Sequence, residues 1–235
     1  WAKQVFPEKS EAQAMESLWE AIFCAVRIQD GDAVQAWREH DALLSEKCEI
    51  LNKYQFTELH YENEAGTDFR VGLVKNHIWE GGSEESGSGV RFIANMPTEE
   101  VFTMPDYRKA EGKVVSSRPL SYRGNLIKDF SLTFHEGKVV DFDAREGYDA
   151  LKQLLDTDEG SKSLGEVALV PYASPISEMG ILFYNTLFDE NASCHLALGE
   201  CYPTTVQDGE KMNEEELHQI GGNHSINHVD FMIGT

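Results

Sequence analysis

The apolar period of this chain changes near Gln55, and that change limits the fold more than any bulk property does. Upstream, apolar residues recur every three or four positions; downstream they alternate every second one. Ser10 and Gln13 form a capping-box signature ahead of Met15, Leu18, Ile22 and Val26, which predicts an amphipathic helix. Asp30-Gly31 ends it. Asp32 and Gln35 make a second capping box, after which Val34, Trp37, Leu44, Cys48 and Leu51 line one face of a second helix. A helical hairpin is therefore expected over residues 1–52, as the end of an upstream domain, and a sheet domain over 53–235.

In "TELHYENEAGTDFRVGLV" a turn at Gly66 separates two stretches of strand-like alternation. "EGGSEESGSG", Glu80 to Gly89, reads as a polar, flexible loop. The clearest strand pair is "LIKDFSLTF" and "VVDFDA", joined at His135-Glu136-Gly137-Lys138. Phe130, Leu132 and Phe134 alternate inward on the first strand, with Val140 and Phe142 on the second. Asp129, Asp141 and Asp143 then fall on a solvated face. Helical stretches return near Glu146–Leu155 and Asn213–Ile220 without the regular alternation of a parallel fold. The expected class is α+β: a helical hairpin followed by a mostly antiparallel sheet domain with packed helices.

The 41 Asp and Glu against 20 Lys and Arg give a formal charge of -21, which repels a phosphate backbone or an anionic bilayer. Neither nucleic acid nor membrane is expected as a partner; an amine or a divalent cation is the more natural guest. Cys24, Cys48, Cys194 and Cys201 show no C-x-x-C spacing, and a cytoplasmic protein with reduced thiols is expected. The first residue is Trp1, and neither a signal segment nor a lipidation motif follows it, so the expectation is either a chain whose start has been removed or a piece of a longer one.

No G-x-S-x-G elbow, phosphate loop, G-x-G-x-x-G or H-E-x-x-H occurs. What remains are acids and histidines beside short apolar runs. His228 and Asp230 sit at i and i+2, on one face of any strand, where they could meet one ion or simply hydrogen-bond each other. His195 lies among small and apolar residues, Glu166 leads into "VALV", and Glu99-Glu100 stands between two prolines. Taken singly, each is better explained as ordinary core or surface chemistry.

Taken together and in order, "NMPTEEVFTMPD", "GEVALVPYASPIS", "ILFYNTLFDENASCHLALG" and "HVDFMIG" resemble the thermophilic metallo-aminopeptidase family typified by aminopeptidases T and S. The likeness runs over essentially the whole chain, "KVVSSRPLSYRGNLIKDFSLTFHEGKVVDF" included. It implies metal-site positions at Glu100, Glu166, His195, Tyr202, His228 and Asp230, all matching in residue type. It also implies two divalent ions (Zn, Co, Mn or Mg), peptide substrates with a free N-terminus, a cytoplasmic homodimer of the full-length protein, and a catalytic C-terminal part truncated at both ends. The donor set suits Zn, Co or Mn and not a thiolate-selective site. Glu166 or another carboxylate is expected to bridge, and two roles stay open for Tyr202: weak ligand, or donor to the tetrahedral oxyanion. Glu99, a carboxylate beside a liganded one, is the expected general base. The alternative to an aminopeptidase is a truncated domain that binds metal without turnover, or that serves only as a binding or dimerisation module.

Overall fold

The computed structural model describes residues 1–28 and 31–234. Three helices open the chain: α1 (Ala2–Val5), α2 (Glu11–Ala25) and α3 (Ala33–Tyr54). The Ser10 box forms as read, with Ser10 and Gln13 exchanging side-chain and backbone bonds. The second box forms by half. Asp32 accepts from the Val34 and Gln35 amides, but the Gln35 side chain turns outward to Glu39 at 2.8 Å. Of the expected turn at Asp30-Gly31, Asp30 lies outside the described residues. Both helical faces are largely the expected ones, with Leu18, Ile22, Val26, Trp37, Leu44, Cys48 and Leu51 buried or packed on a core; Met15 and Val34 depart from them. Ala14, Leu18, Ala21 and Ala25 are the buried stripe of α2, while Met15 is half-exposed, because small side chains let α2 approach its neighbours closely. On α3, Trp37, His40 and Leu44 are buried and Val34 faces out.

Beyond Gln55 the sheet begins. Strands β1 (Glu58–Glu62) and β2 (Asp68–Leu73) pair antiparallel around the Gly66 turn, where Asn63 Oδ1 accepts from the amides of Ala65 and Thr67. The stretch expected to be a polar, flexible loop supplies the first strand and the turn of a small hairpin, β3 (Ser83–Glu85) with β4 (Arg91–Ile93), fixed to α3 by Asp41, which accepts from the Ser83 amide and from Arg91. Then come β5 (Val101–Thr103), β6 (Pro105–Val115), β7 (Leu120–Tyr122), β8 (Asn125–His135) and β9 (Lys138–Glu146). The β8–β9 hairpin has the expected partners, with one correction: a register shift at Thr133/Phe134 sets Phe134 opposite Val139, so Val139 is buried and Val140 points to solvent. Asp129, Asp141 and Asp143 are exposed as read. Phe130, Leu132 and Phe134 are each about 1% exposed, and burial of such side chains stabilises by roughly 1.5–3 kcal/mol apiece.

The last third adds α4 (Tyr148–Leu155), β10 (Leu164–Leu169), α5 (Pro175–Met179), α6 (Thr186–Asp189), β11 (His195–Gly199), α7 (Glu214–Ile220) and β12 (His228–Met232). The strands form a six-stranded sheet, β1-β2-β6-β8-β7 with β9 on β8, and a four-stranded sheet, β12-β11-β10-β5; every pairing is antiparallel. One core joins them: Phe69, Phe130 and Phe134 of the larger sheet share it with Val167, Leu196 and Phe231 of the smaller and with Leu44 of α3. Helices α1 and α2 pack in a second cluster against Ile176, Phe183 and Phe188. The fold is α+β, as expected.

Candidate metal centre

The small sheet sets the register of the site. Glu166 on β10 pairs with Ala197 on β11, and Ala197 pairs with Asp230 on β12. Two carboxylates therefore flank one methyl group, which leaves room for them to converge. His195 and His228 each lie two residues along their strands from this row and so share its face. Glu166 is aimed by a bulge between Leu164 and Glu166. Gly165 makes that bulge possible: a Cβ there would meet the Glu200 carbonyl oxygen at 2.0 Å.

Donor atoms of Glu100, Glu166 and His195 lie within 4.8 Å of one another, and so do those of Glu166, His228 and Asp230. Glu166 belongs to both groups through different oxygens: Oε1 is 3.6 Å from His195 Nε2, and Oε2 is 3.7 Å from His228 Nε2. His195 Nε2 is 2.8 Å from Glu100 Oε2, and His228 Nε2 is 3.4 Å from Asp230 Oδ1. Yet Glu100 Oε2 and Asp230 Oδ1 are buried without a partner in hydrogen-bond geometry. Short separations without that geometry mean that donor atoms point at shared space rather than at each other. On the far side of each ring, His195 Nδ1 lies 3.1 Å from the Ser193 carbonyl and His228 Nδ1 lies 2.8 Å from the Glu200 carbonyl. A carbonyl can only accept, so Nδ1 carries hydrogen in both rings and Nε2 is the nitrogen turned to the cluster, as in a metal-binding histidine.

Burial and crowding shift Glu166, Asp230 and both imidazoles. Burial first, then the negative charges of Asp230 and Glu100, push the Glu166 carboxyl up to about 7 against the bond from His195. Burial alone would lower both imidazoles. The Glu100 charge with Glu166 and Asp230 nonetheless holds His195 well above its ordinary value, and Asp230 with Glu166 raises His228 to about 9. Asp230 is pulled down, against its burial, chiefly by His228. Without a cation, the cluster neutralises itself with protons.

These residues line a cavity of about 310 Å³ together with Tyr202, whose ring stands 4.7 Å from that of His228. Tyr202 is exposed, and its hydroxyl is raised by burial of the phenol edge and by the neighbouring carboxylates. A larger trough of about 660 Å³ adjoins it, sharing Glu80, Glu84 and Thr204, but contains neither a histidine nor a ligand group. Glu99 is the one expected site residue that the fold leaves outside. Glu99 and Glu100 are neighbours on extended chain and point to opposite sides; the Glu99 carboxylate is held by Arg27 through both terminal nitrogens, one at 2.8 Å. Conversely, Glu190, which is not among the expected site residues, lines the cavity. Burial, then Asp230 and Glu100, push its carboxyl up to about 9. Its only sequence signal is an acid five residues ahead of His195, inside the polar run Asp189-Glu190-Asn191.

A sequence model of the thermophilic metalloproteases (M29) matches residues 1–235. The chain is 54% identical to aminopeptidase AmpS of Bacillus subtilis and 52% identical to aminopeptidase 2 of Geobacillus stearothermophilus, each over 235 residues. All of this chain is covered in both, but only 57% of each relative. Wild-type AmpT from Thermus thermophilus superposes with a TM-score of 0.91 at 44% identity, over 100% of this chain and 56% of that one.

Proposed function

The chain belongs to the thermophilic metalloprotease (M29) family, and from that premise we propose that it is the catalytic part of a metallo-aminopeptidase which releases N-terminal residues from peptides. The observation that carries the reading is the division of Glu166, one carboxylate oxygen toward His195 and Glu100 and the other toward His228 and Asp230. Three carboxylates and two imidazoles suit divalent ions of the Zn, Co or Mn class, which Glu100, Glu166, His195, His228 and Asp230 would hold, Glu166 being common to both groups. Such ions supply Lewis acidity, activating a water and polarising the scissile carbonyl.

The chain's own groups provide the rest. The Ser193 and Glu200 carbonyls hold both imidazoles with Nε2 toward the cavity. Tyr202 offers an O–H at the cavity mouth to the oxyanion that develops on the substrate. Proton transfer, expected of Glu99, falls instead to Glu190, a cavity carboxyl outside both ligand groups and, unlike Glu80 and Glu84, close enough to Asp230, Glu100 and Glu166 to feel their charges. The acidic surroundings, Glu80 and Glu84 among them, favour a substrate amine over an anion. Among the described residues no helix is long and apolar enough to cross a membrane.

A second reading rests on length. The chain spans little more than half of the relatives it matches, so metal binding without turnover is the alternative. Metal analysis together with hydrolysis of an aminoacyl chromogenic substrate, with and without a chelator, separates the two. Chelator-sensitive hydrolysis with bound divalent metal supports the peptidase; stoichiometric metal without hydrolysis supports the alternative.

A further inference from the structure

Glu100 is the ligand with the least obvious support. It precedes β5, a three-residue strand, and it shares one cavity with Glu166, Glu190 and Asp230, whose charges push it outward. The two residues before it, however, are gripped from three directions. Arg27, just beyond the end of α2, closes both terminal nitrogens on the Glu99 carboxylate. His40 of α3 has Nε2 at 2.6 Å from the Thr98 carbonyl, which obliges that nitrogen to donate, and at 3.7 Å from Glu99 Oε2. Asn191, next to Glu190, accepts the Glu99 amide at 2.6 Å and donates to the Leu187 carbonyl at 2.8 Å. The grip is itself braced. The Arg27 guanidinium lies 5.5 Å from the Trp37 ring, and Trp37 Nε1 donates to the Val26 carbonyl at 2.8 Å, tying the two helices together at this point.

We propose that Arg27, Glu99 and Asn191 form a positioning clamp that holds Glu100 in ligand geometry against the repulsion of its neighbours. A buried ion pair is a poor device for stability alone, since packed apolar residues do that work as well. A bidentate Arg–carboxylate fork fixes position and angle, which a ligand needs and a core does not. Glu99 thus serves the site from behind the strand, and the helical hairpin carries one jaw of the clamp. The inference rests on the metal-centre reading above.

The test compares the chain with Arg27→Met and Glu99→Gln by titration with Co²⁺, read by visible absorption and chelator competition. One of two equivalents should bind about 10- to 100-fold more weakly while the other is unchanged, with the larger loss in Arg27→Met. Hydrolysis, where present, should recover at saturating Co²⁺; a general base at Glu99 would give loss that excess metal cannot restore. Folded variants that bind both equivalents as the parent does, or weaken both alike, overturn the clamp. Should Arg27→Met fail to fold, Glu99→Gln, which keeps the side-chain shape, decides alone. A parent chain that takes up no Co²⁺ sinks the metal-centre reading itself, a distinct result.

Discussion

The two sheets of this molecule use burial in opposite ways. In the six-stranded sheet, buried positions are mostly apolar, and the buried Asp106 is paired with Arg108 and Lys109; β8 alternates Phe130, Leu132 and Phe134 inward with Asp129 outward. In the four-stranded sheet nearly every position of β10 and β11 is buried, and Glu166, His195 and Asp230 are buried with them. The first sheet holds the fold together. The second carries buried charge that destabilises the fold unless a ligand compensates it, and this is the mark of a binding site.

One substitution in each sheet should separate the two roles. Glu166→Gln should abolish hydrolysis, yet the metal-free protein should melt no lower than the parent, since one of four crowded carboxyls is neutralised. A melting point well below the parent's would show Glu166 to be structural. Phe130→Ala should behave in reverse, costing about 3–5 kcal/mol of stability by chemical denaturation with metal affinity unchanged in the folded fraction.

Solution pH extends the contrast. Glu166, His195 and His228 all have folded values above their ordinary ones. The stability contributed by their protonated forms is full below about 4.5 for Glu166 and 6.5 for the histidines. It is lost as pH rises through about 7 for Glu166 and about 9 for His228. The metal-free chain should therefore melt at falling temperature between pH 6 and 9. Metal must displace those protons, so the loaded chain should melt higher across the same range, and calorimetry should detect protons released on binding. Parallel pH profiles with and without metal would remove the site's electrostatic account. The smallest effect is expected at Tyr202→Phe: a drop of about 100-fold in turnover with metal content nearly kept. Equal loss of both would make Tyr202 a ligand.

What could be read from the sequence divides along the same line. Alternation in the larger sheet made the β8–β9 pair and its solvated aspartates legible, and only the bulge that exchanges Val139 for Val140 escaped, because a bulge leaves no periodic trace. In the smaller sheet, residues chosen for a ligand look in sequence like isolated accidents; the His228–Asp230 spacing was weak evidence, and the family likeness supplied the set. Adjacency to Glu100 places Glu99 in the site on sequence grounds, whereas neighbours on extended chain point apart and Glu99 meets Arg27 instead. Arg27 and Asn191 gave no signal, since their meaning depends on contacts 72 and 92 residues away. Glu190 sat in a short helical turn whose facing no periodicity predicts.

The central claim is that Glu166 divides its two oxygens between two ion-binding groups. Metal content after equilibration with a modest excess of Co²⁺, measured on the parent, Asp230→Asn and Glu166→Gln, tests it most directly. Two ions per chain are expected in the parent, one in Asp230→Asn and none retained in Glu166→Gln. Two ions kept by Glu166→Gln, or the same single loss in both variants, would contradict it.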